Sequence, residues 1–202
     1  MIFLNTGKGQ EAIMTRIEIK KKLKEILSPK RYEHTLGVEY TAATLAMRYG
    51  ADMDKALMAG LLHDCAKQVP TEEKLEACRH FQLPVSVYEQ QNPELLHAKL
   101  GAAYARAYYG IEDEEILSAI TWHTTGRPGM TLLDKILYVA DFMEPNRDQA
   151  SNLPEVRALA YRDLDACLFR ILEDSITYLN SRDIVVDPMT QETYDYYKEN
   201  YI

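Results

Sequence analysis

Apolar positions recur every three or four residues along most of this chain, the spacing of one buried helix face. Residues 15–27 read as a short basic amphipathic helix. Pro29 punctuates, and a helix from about Lys30 to Tyr49 carries Leu36, Tyr40, Ala43 and Met47 at helical spacing, with Gly50 as its stop. The next helix opens at Asp52 or Met53 and ends near Lys67, ahead of Pro70. Thr71 followed by Glu72 and Glu73 reads as an N-cap with an acidic first turn. Residues 84–94 are loop or short helix, and 95–109 and 112–123 are two helices separated by Gly110. The acids at 112–115 read as complements to a helix dipole on a solvated face.

Further on, Thr124-Thr125-Gly126-Arg127-Pro128-Gly129 cannot continue a helix and is a loop beginning right after His123. A helix over 130–145 places Leu133, Leu137 and Ala140 on one face. Pro154 fits the first position of a long helix to about Asn180. Its stripe is Val156, Leu159, Leu164, Cys167, Leu168, Ile171, Ser175 and Leu179. That stripe packs across the other helices, with a homodimer seam as the alternative. Residues 181–188 form a connector with a short extended piece at Ile184-Val185-Val186, and a tyrosine-rich helix follows from Asp187-Pro188. Strands are nearly absent, so the expected class is all-α, a helical bundle.

The 202 residues suffice for one sizeable core, with 47% hydrophobic and 27% charged positions. The expected organisation is a single helical domain over 15–202 behind an N-terminal extension, 1–14, with Met14 as an alternative start. No apolar run reaches the roughly 18–20 residues that span a bilayer, and the first residues lack a signal peptide's charged lead. Cys65, Cys78 and Cys167 are an odd set without a close pair, so a cytoplasmic, disulfide-free protein is expected. A net charge of −8 disfavours duplex nucleic acid as a partner but leaves room for a small anion in a locally positive cleft.

The candidate chemistry is an ordered series of imidazoles and carboxylates: His34, His63-Asp64, His97, His123 and Asp141. His63-Asp64 closes the apolar run 56–62, and Asp141 interrupts the run 136–143. A carboxylate in such surroundings needs a compensating partner, and a cation is one. Each histidine alone is weak evidence, and His80 is left out. Together they sit on separate expected helices. His34, His63, Asp64 and Asp141 offer two nitrogens and two oxygens, a set suited to Fe(II), Mn(II), Co(II) or Zn(II). A metal so held lowers the pKa of bound water and makes hydroxide available near neutral pH, and a phosphoryl group is its natural target.

The order His…His-Asp…Asp resembles the HD superfamily of metal-dependent phosphohydrolases. The match is closer still to the YqeK-type bacterial proteins. It is carried by Arg31-Tyr32-Glu33-His34-Thr35-Leu36-Gly37-Val38, Gly60-Leu61-Leu62-His63-Asp64-Cys65-Ala66-Lys67, Leu96-His97-Ala98-Lys99-Leu100-Gly101-Ala102, the stretch from Trp122 to Met130, and that from Leu133 to Arg147. The resemblance spans about residues 15–200. It implies an iron-containing hydrolase that uses metal-bound hydroxide to split diadenosine tetraphosphate symmetrically into two ADP. Manganese or cobalt would be substitutes for the iron.

By the same resemblance His34, His63, Asp64 and Asp141 are the metal ligands. Nucleotide contacts fall on Arg31, His34, Gly37, Asp64, His97, His123, Thr124, Thr125, Arg127 and Arg147, and Asp64, Lys67, His97 and His123 are catalytic. The residues themselves fit several of these roles. Arg31 lies one turn before His34, and Lys67 one turn after Asp64. Gly37 would let a ligand approach the backbone, or else serve helix packing. The loop 124–129 offers hydroxyl, N–H and guanidinium donors. The alternatives are that Arg31 and Lys67 are surface cations, Arg127 a solvated loop residue, and Arg147 a partner of its helix C-terminus. One ion is favoured, with His97 and His123 as phosphate-side donors; the alternative is a second ion held by those two. A nucleotidase or dNTPase on the same scaffold, or a non-catalytic nucleotide-binding protein, are the competing functions.

Overall fold

The computed structural model describes residues 14–148 and 150–201. The proposed extension lies outside the described residues except for Met14, which packs against the core. Eleven α-helices are found among the described residues, with no strand. They are α1 (Arg16–Ile26), α2 (Pro29–Tyr49), α3 (Met53–Leu62), α4 (Thr71–His80), α5 (Val87–Gln91), α6 (Leu96–Tyr109), α7 (Glu114–Trp122), α8 (Leu132–Met143), α9 (Leu153–Ala160), α10 (Leu164–Ser181) and α11 (Pro188–Tyr201). A 3₁₀ turn, Pro93–Leu95, leads into α6.

Local chemistry sets the boundaries. Ser28 caps α2 by accepting the Arg31 N–H, and Gly50 ends it in the left-handed region at φ 73°. Thr15, Ser86 and Thr131 each form a reciprocal capping box. Asp113, from the acidic run, caps α7, while Lys55 pairs with Asp113 and Glu115 and Arg106 with Glu114.

The centre is built by α2, α3, α7 and α8, with α6 against α7, α10 against α8, and α11 on α10. The α2–α3 approach is especially close, because a Cβ at Gly60 would sit 2.7 Å from the Glu39 Cα. Glu39 itself is buried and is met by Arg16 at 2.9 Å and Lys20 at 2.8 Å, which fastens α1 to α2.

Several sequence expectations are corrected. Tyr40 and Met47 are exposed; the core face of α2 is instead Val38, Ala42, Leu45 and Ala46, which packs on α3 and α8. Helix α3 stops at Leu62 rather than near Lys67. Residues 63–68 continue as tight turns with i→i−3 bonds, Cys65 N–H to Leu62 O and Lys67 N–H to Asp64 O. The long helix from Pro154 is two helices. The Arg162 and Asp163 N–H groups both turn back to Leu159 O, and Asp163 restarts the chain as the cap of α10. Pro154 is the second residue of α9, not a first. Residues 184–186 form no strand, and Ile184 and Val185 are exposed.

Candidate metal centre

His63 caps the C-terminal end of α3, Asp64 follows in the turn, His34 comes from α2, and Asp141 from α8. The His34 Nε2 lies 3.0 Å from Asp141 Oδ1, and the His63 Nε2 lies 3.3 Å from His34 Nε2. Asp64 Oδ2 faces the same point, 3.4 Å from His63 Nε2 and 3.8 Å from His34 Nε2. The four expected ligands therefore converge. Asp64 presents its other oxygen to a second pair: Oδ1 is 3.3 Å from His97 Nε2 and 3.9 Å from His123 Nε2. Two groups have donor atoms within 4.8 Å of one another, His34–His63–Asp141 and His63–Asp64–His123.

All four imidazoles are oriented alike. His63 Nδ1 lies 2.7 Å from Gly60 O, His97 Nδ1 2.5 Å from Glu94 O, and His123 Nδ1 2.7 Å from Ile120 O. Each of these carbonyls is three residues earlier in its own segment. His34 Nδ1 lies 3.0 Å from Glu144 Oε1. With each Nδ1–H donating to an oxygen, each Nε2 turns a lone pair inward, as the outer partners of metal-bound histidines require. Lone pairs and two carboxylates facing one another at these distances repel unless a cation lies among them. The donor set thus fits a divalent transition metal.

Electrostatics agree. Burial alone would raise the Asp64 carboxyl, but the imidazoles of His63, His97 and His123 outweigh it and hold the group well below its ordinary range. Asp141 is likewise lowered against burial, by His34, His63 and Arg147. Burial pushes His97 down to about 3 and His123 to about 4, with the neighbouring imidazoles adding to it. His63 goes the other way, because Asp64 and Asp141 overcome its burial. Lys67 is lowered, chiefly by burial, and its Nζ stands 3.3 Å from both ring nitrogens of His97.

The remaining expected contacts divide. Arg31 donates to Asp64 Oδ2 at 2.7 Å and keeps part of its guanidinium exposed. Arg147 holds Asp141 twice, at the backbone carbonyl (2.9 Å) and at Oδ1 (2.8 Å), so it serves the helix end and the site together. The Thr124 hydroxyl is 3.5 Å from His97 Nε2, and the Thr125 hydroxyl turns to Gly126 O. Arg127 instead grips buried Asp134, through Nε at 3.2 Å and Nη2 at 2.8 Å. Gly37 leaves space for a neighbour in the fold: a Cβ there would collide with the Glu144 carboxylate. Sequence reasoning missed Glu144 as a site residue. Its one signal was a place three residues after Asp141, one helical turn on.

Two cavities flank this centre and share Thr124 as a wall. One, of about 230 Å³, includes His123, Asp141, Phe142 and Arg147. The other, of about 200 Å³, lies between Lys99, Trp122, Thr125, Asp187 and Met189.

Comparison with known proteins places this geometry. The HD domain model matches residues 31–146. The chain is 43% identical over 183 residues to "Bis(5'-nucleosyl)-tetraphosphatase, symmetrical" of Bacillus subtilis (91% of this chain, 97% of that one). It is 43% identical over 175 residues to the protein of the same name from Halalkalibacterium halodurans (86% and 91%). A crystal structure from Clostridium acetobutylicum, described as a "predicted HD superfamily hydrolase involved in NAD metabolism", superposes with a TM-score of 0.90 at 37% identity, covering 94% of this chain and all of that one. A bundle that gathers His34, His63-Asp64 and Asp141 in that order, with these relatives, belongs to the HD-domain family and, within it, to the group of the bacterial symmetrical bis(5'-nucleosyl)-tetraphosphatases.

Proposed function

We propose that this protein hydrolyses diadenosine tetraphosphate, and related dinucleoside polyphosphates, to two nucleoside diphosphates. The observation that carries the reading is the convergence of His34, His63, Asp64 and Asp141 beside a second histidine pair, in a chain similar to proteins named for that activity. The four residues would hold one divalent ion, with iron the preferred occupant and manganese or cobalt as substitutes. When bound, such an ion supplies Lewis acidity, which activates water near neutral pH and withdraws charge from a phosphoryl oxygen.

The chain's own groups do the rest. Arg31 locks Asp64 and, being partly exposed, would have further N–H groups to offer an incoming phosphate. Lys67 supplies positive charge beside His97, and His97, His123 and Thr124 line the side where the departing diphosphate would leave. Arg147 holds Asp141 and borders the cavity of about 230 Å³ beside it. Arg127 and Gly37 are assigned to structure, not to the nucleotide. A single ion is favoured because the Lys67 ammonium already stands against His97. The second oxygen of Asp64, facing His97 and His123, is the feature that supports a two-ion reading. Three free buried thiols support a reducing compartment, the cytoplasm, and no described helix is long and apolar enough to cross a membrane.

Product chromatography on metal-loaded protein tests the proposal. Diadenosine tetraphosphate should give ADP alone. Formation of ATP with AMP would overturn symmetric cleavage, and preferential turnover of dNTPs or nucleoside monophosphates would favour the nucleotidase reading.

A further inference from the structure

We infer that a cavity along α10, adjoining the one at the metal centre, is the subsite for the second nucleoside of a dinucleoside polyphosphate. This rests on the dinucleotide reading above and goes beyond it by assigning the two ends of the substrate to different walls. The outer cavity has a volume of about 640 Å³. It shares Phe142, Ala150 and Ser175 with the inner cavity that touches His123 and Asp141, so the two adjoin.

Helix α10 forms a wall of both cavities. Ile171, Ser175, Tyr178 and Arg182 recur at steps of four, three and four residues, which puts them on one helix face. That face extends about 16 Å at 1.5 Å per residue. Its character changes along the way. Ile171, at the inner end, is 1% exposed, whereas Tyr178, at the outer end, is 58% exposed. The Arg182 guanidinium lies 5.5 Å from the Tyr178 ring centre. Among the described residues no carboxylate pairs with Arg182, while Arg170 on the same wall is held by Asp174 at 2.9 Å. An exposed aromatic ring beside an unneutralised guanidinium, on a protein of net charge −8, is suited to a purine and the phosphate attached to its ribose. The other cavity, across Thr124, then takes the first nucleoside, which would leave the middle of the tetraphosphate beside His34, His63, Asp64 and Asp141, the residues that would hold the metal.

Holoenzyme kinetics test this with diadenosine tetraphosphate as substrate and adenosine 5'-tetraphosphate, which has one nucleoside, as competitor. Tyr178→Ala should raise KM for the dinucleotide about ten-fold, the scale of one lost base–aromatic stack, and leave kcat nearly unchanged. The competitor's Ki should stay constant, because it needs only one nucleoside site. Tyr178→Phe should restore KM. An unchanged KM in both Tyr178→Ala and Arg182→Ala would overturn the assignment. So would a parallel rise in KM and Ki, which would place Tyr178 against the half that both molecules share. A wild-type holoenzyme that leaves the dinucleotide intact would overturn the hydrolase reading first, and this subsite with it. Thermal melting of the variants separates binding from folding, and the exposed Tyr178 should leave the melt unmoved.

Discussion

Glu144 lies beneath His34, its Oε1 3.0 Å from the ring Nδ1, and it fits there only because residue 37 has no side chain. The carboxylate is 1% exposed, and its other oxygen accepts the Asn146 N–H at 2.7 Å. An acceptor so fixed holds the ring in one orientation and aims His34 Nε2 at Asp141. Glu144→Ala should therefore weaken metal binding about 10- to 100-fold, while Glu144→Gln, which keeps an acceptor without its charge, should cost less. Gly37→Ala should mimic the loss by displacing the carboxylate. Competition against a chelator of known affinity measures all three. Wild-type affinity in both Glu144→Ala and Gly37→Ala would end the argument.

Asp64 turns one oxygen to each of two histidine pairs, so it bears on both the one-ion and the two-ion reading. Asp64→Ala should remove metal and turnover together while the helical content stays. His123→Ala is the sharper probe. If His97 and His123 act on the phosphate side, that variant should keep its wild-type metal content and lose kcat. Elemental analysis showing a fall from two ions per chain to one would establish the two-ion reading instead.

Much of this was legible in sequence because the signals were local. Caps, glycine stops and the apolar runs around His63-Asp64 and Asp141 are short-range signals, and they located most of the helices and the side chains that converge at the site. What stayed hidden depended on tertiary partners. Gly37 looks like a gap for a ligand until Glu144, more than a hundred residues later, is seen to occupy it. Tyr40 and Met47 share a helical spacing as regular as that of the buried face, and only packing on α3 and α8 shows which face is inside. The end of α3 lacks a glycine or proline at His63, so the tightening that swings Asp64 toward both histidine pairs had no marker.

Arg127 offers a direct contest between two roles. In the structure it closes a buried network in which Asp134 also accepts from the Ser118 hydroxyl at 2.9 Å and the Thr131 N–H at 3.0 Å. Asp134→Ala should cost about 2 kcal/mol, because it strands several donors at once. For a domain of this size that lowers Tm by about 4–8 °C. Arg127→Ala should cost less, as Asp134 keeps its other partners and Arg127 is partly exposed. A variant Arg127→Ala with unchanged Tm and a large rise in KM would return this residue to the phosphate side.

The break between α9 and α10 comes at Tyr161-Arg162-Asp163, with neither glycine nor proline to force it. Asp163 sustains it, since its Oδ1 accepts the N–H groups of Asp165 and Ala166 at 3.1 and 3.0 Å and its carboxylate complements the start of a long helix. The bend lets α9 cross toward α8, where Arg157 donates to the carbonyls of Met143, Glu144 and Arg147 and so steadies the segment that carries Glu144. Asp163→Ala should destabilise the fold by about 1 kcal/mol, the usual cost of losing an N-cap. That corresponds to about 2–4 °C in Tm. Asp163→Asn, which retains the accepting oxygen, should recover most of the loss. If calorimetry found the alanine variant as stable as the parent, the cap would not be what holds the two helices apart, and a continuous helix would be the better description of residues 153–181.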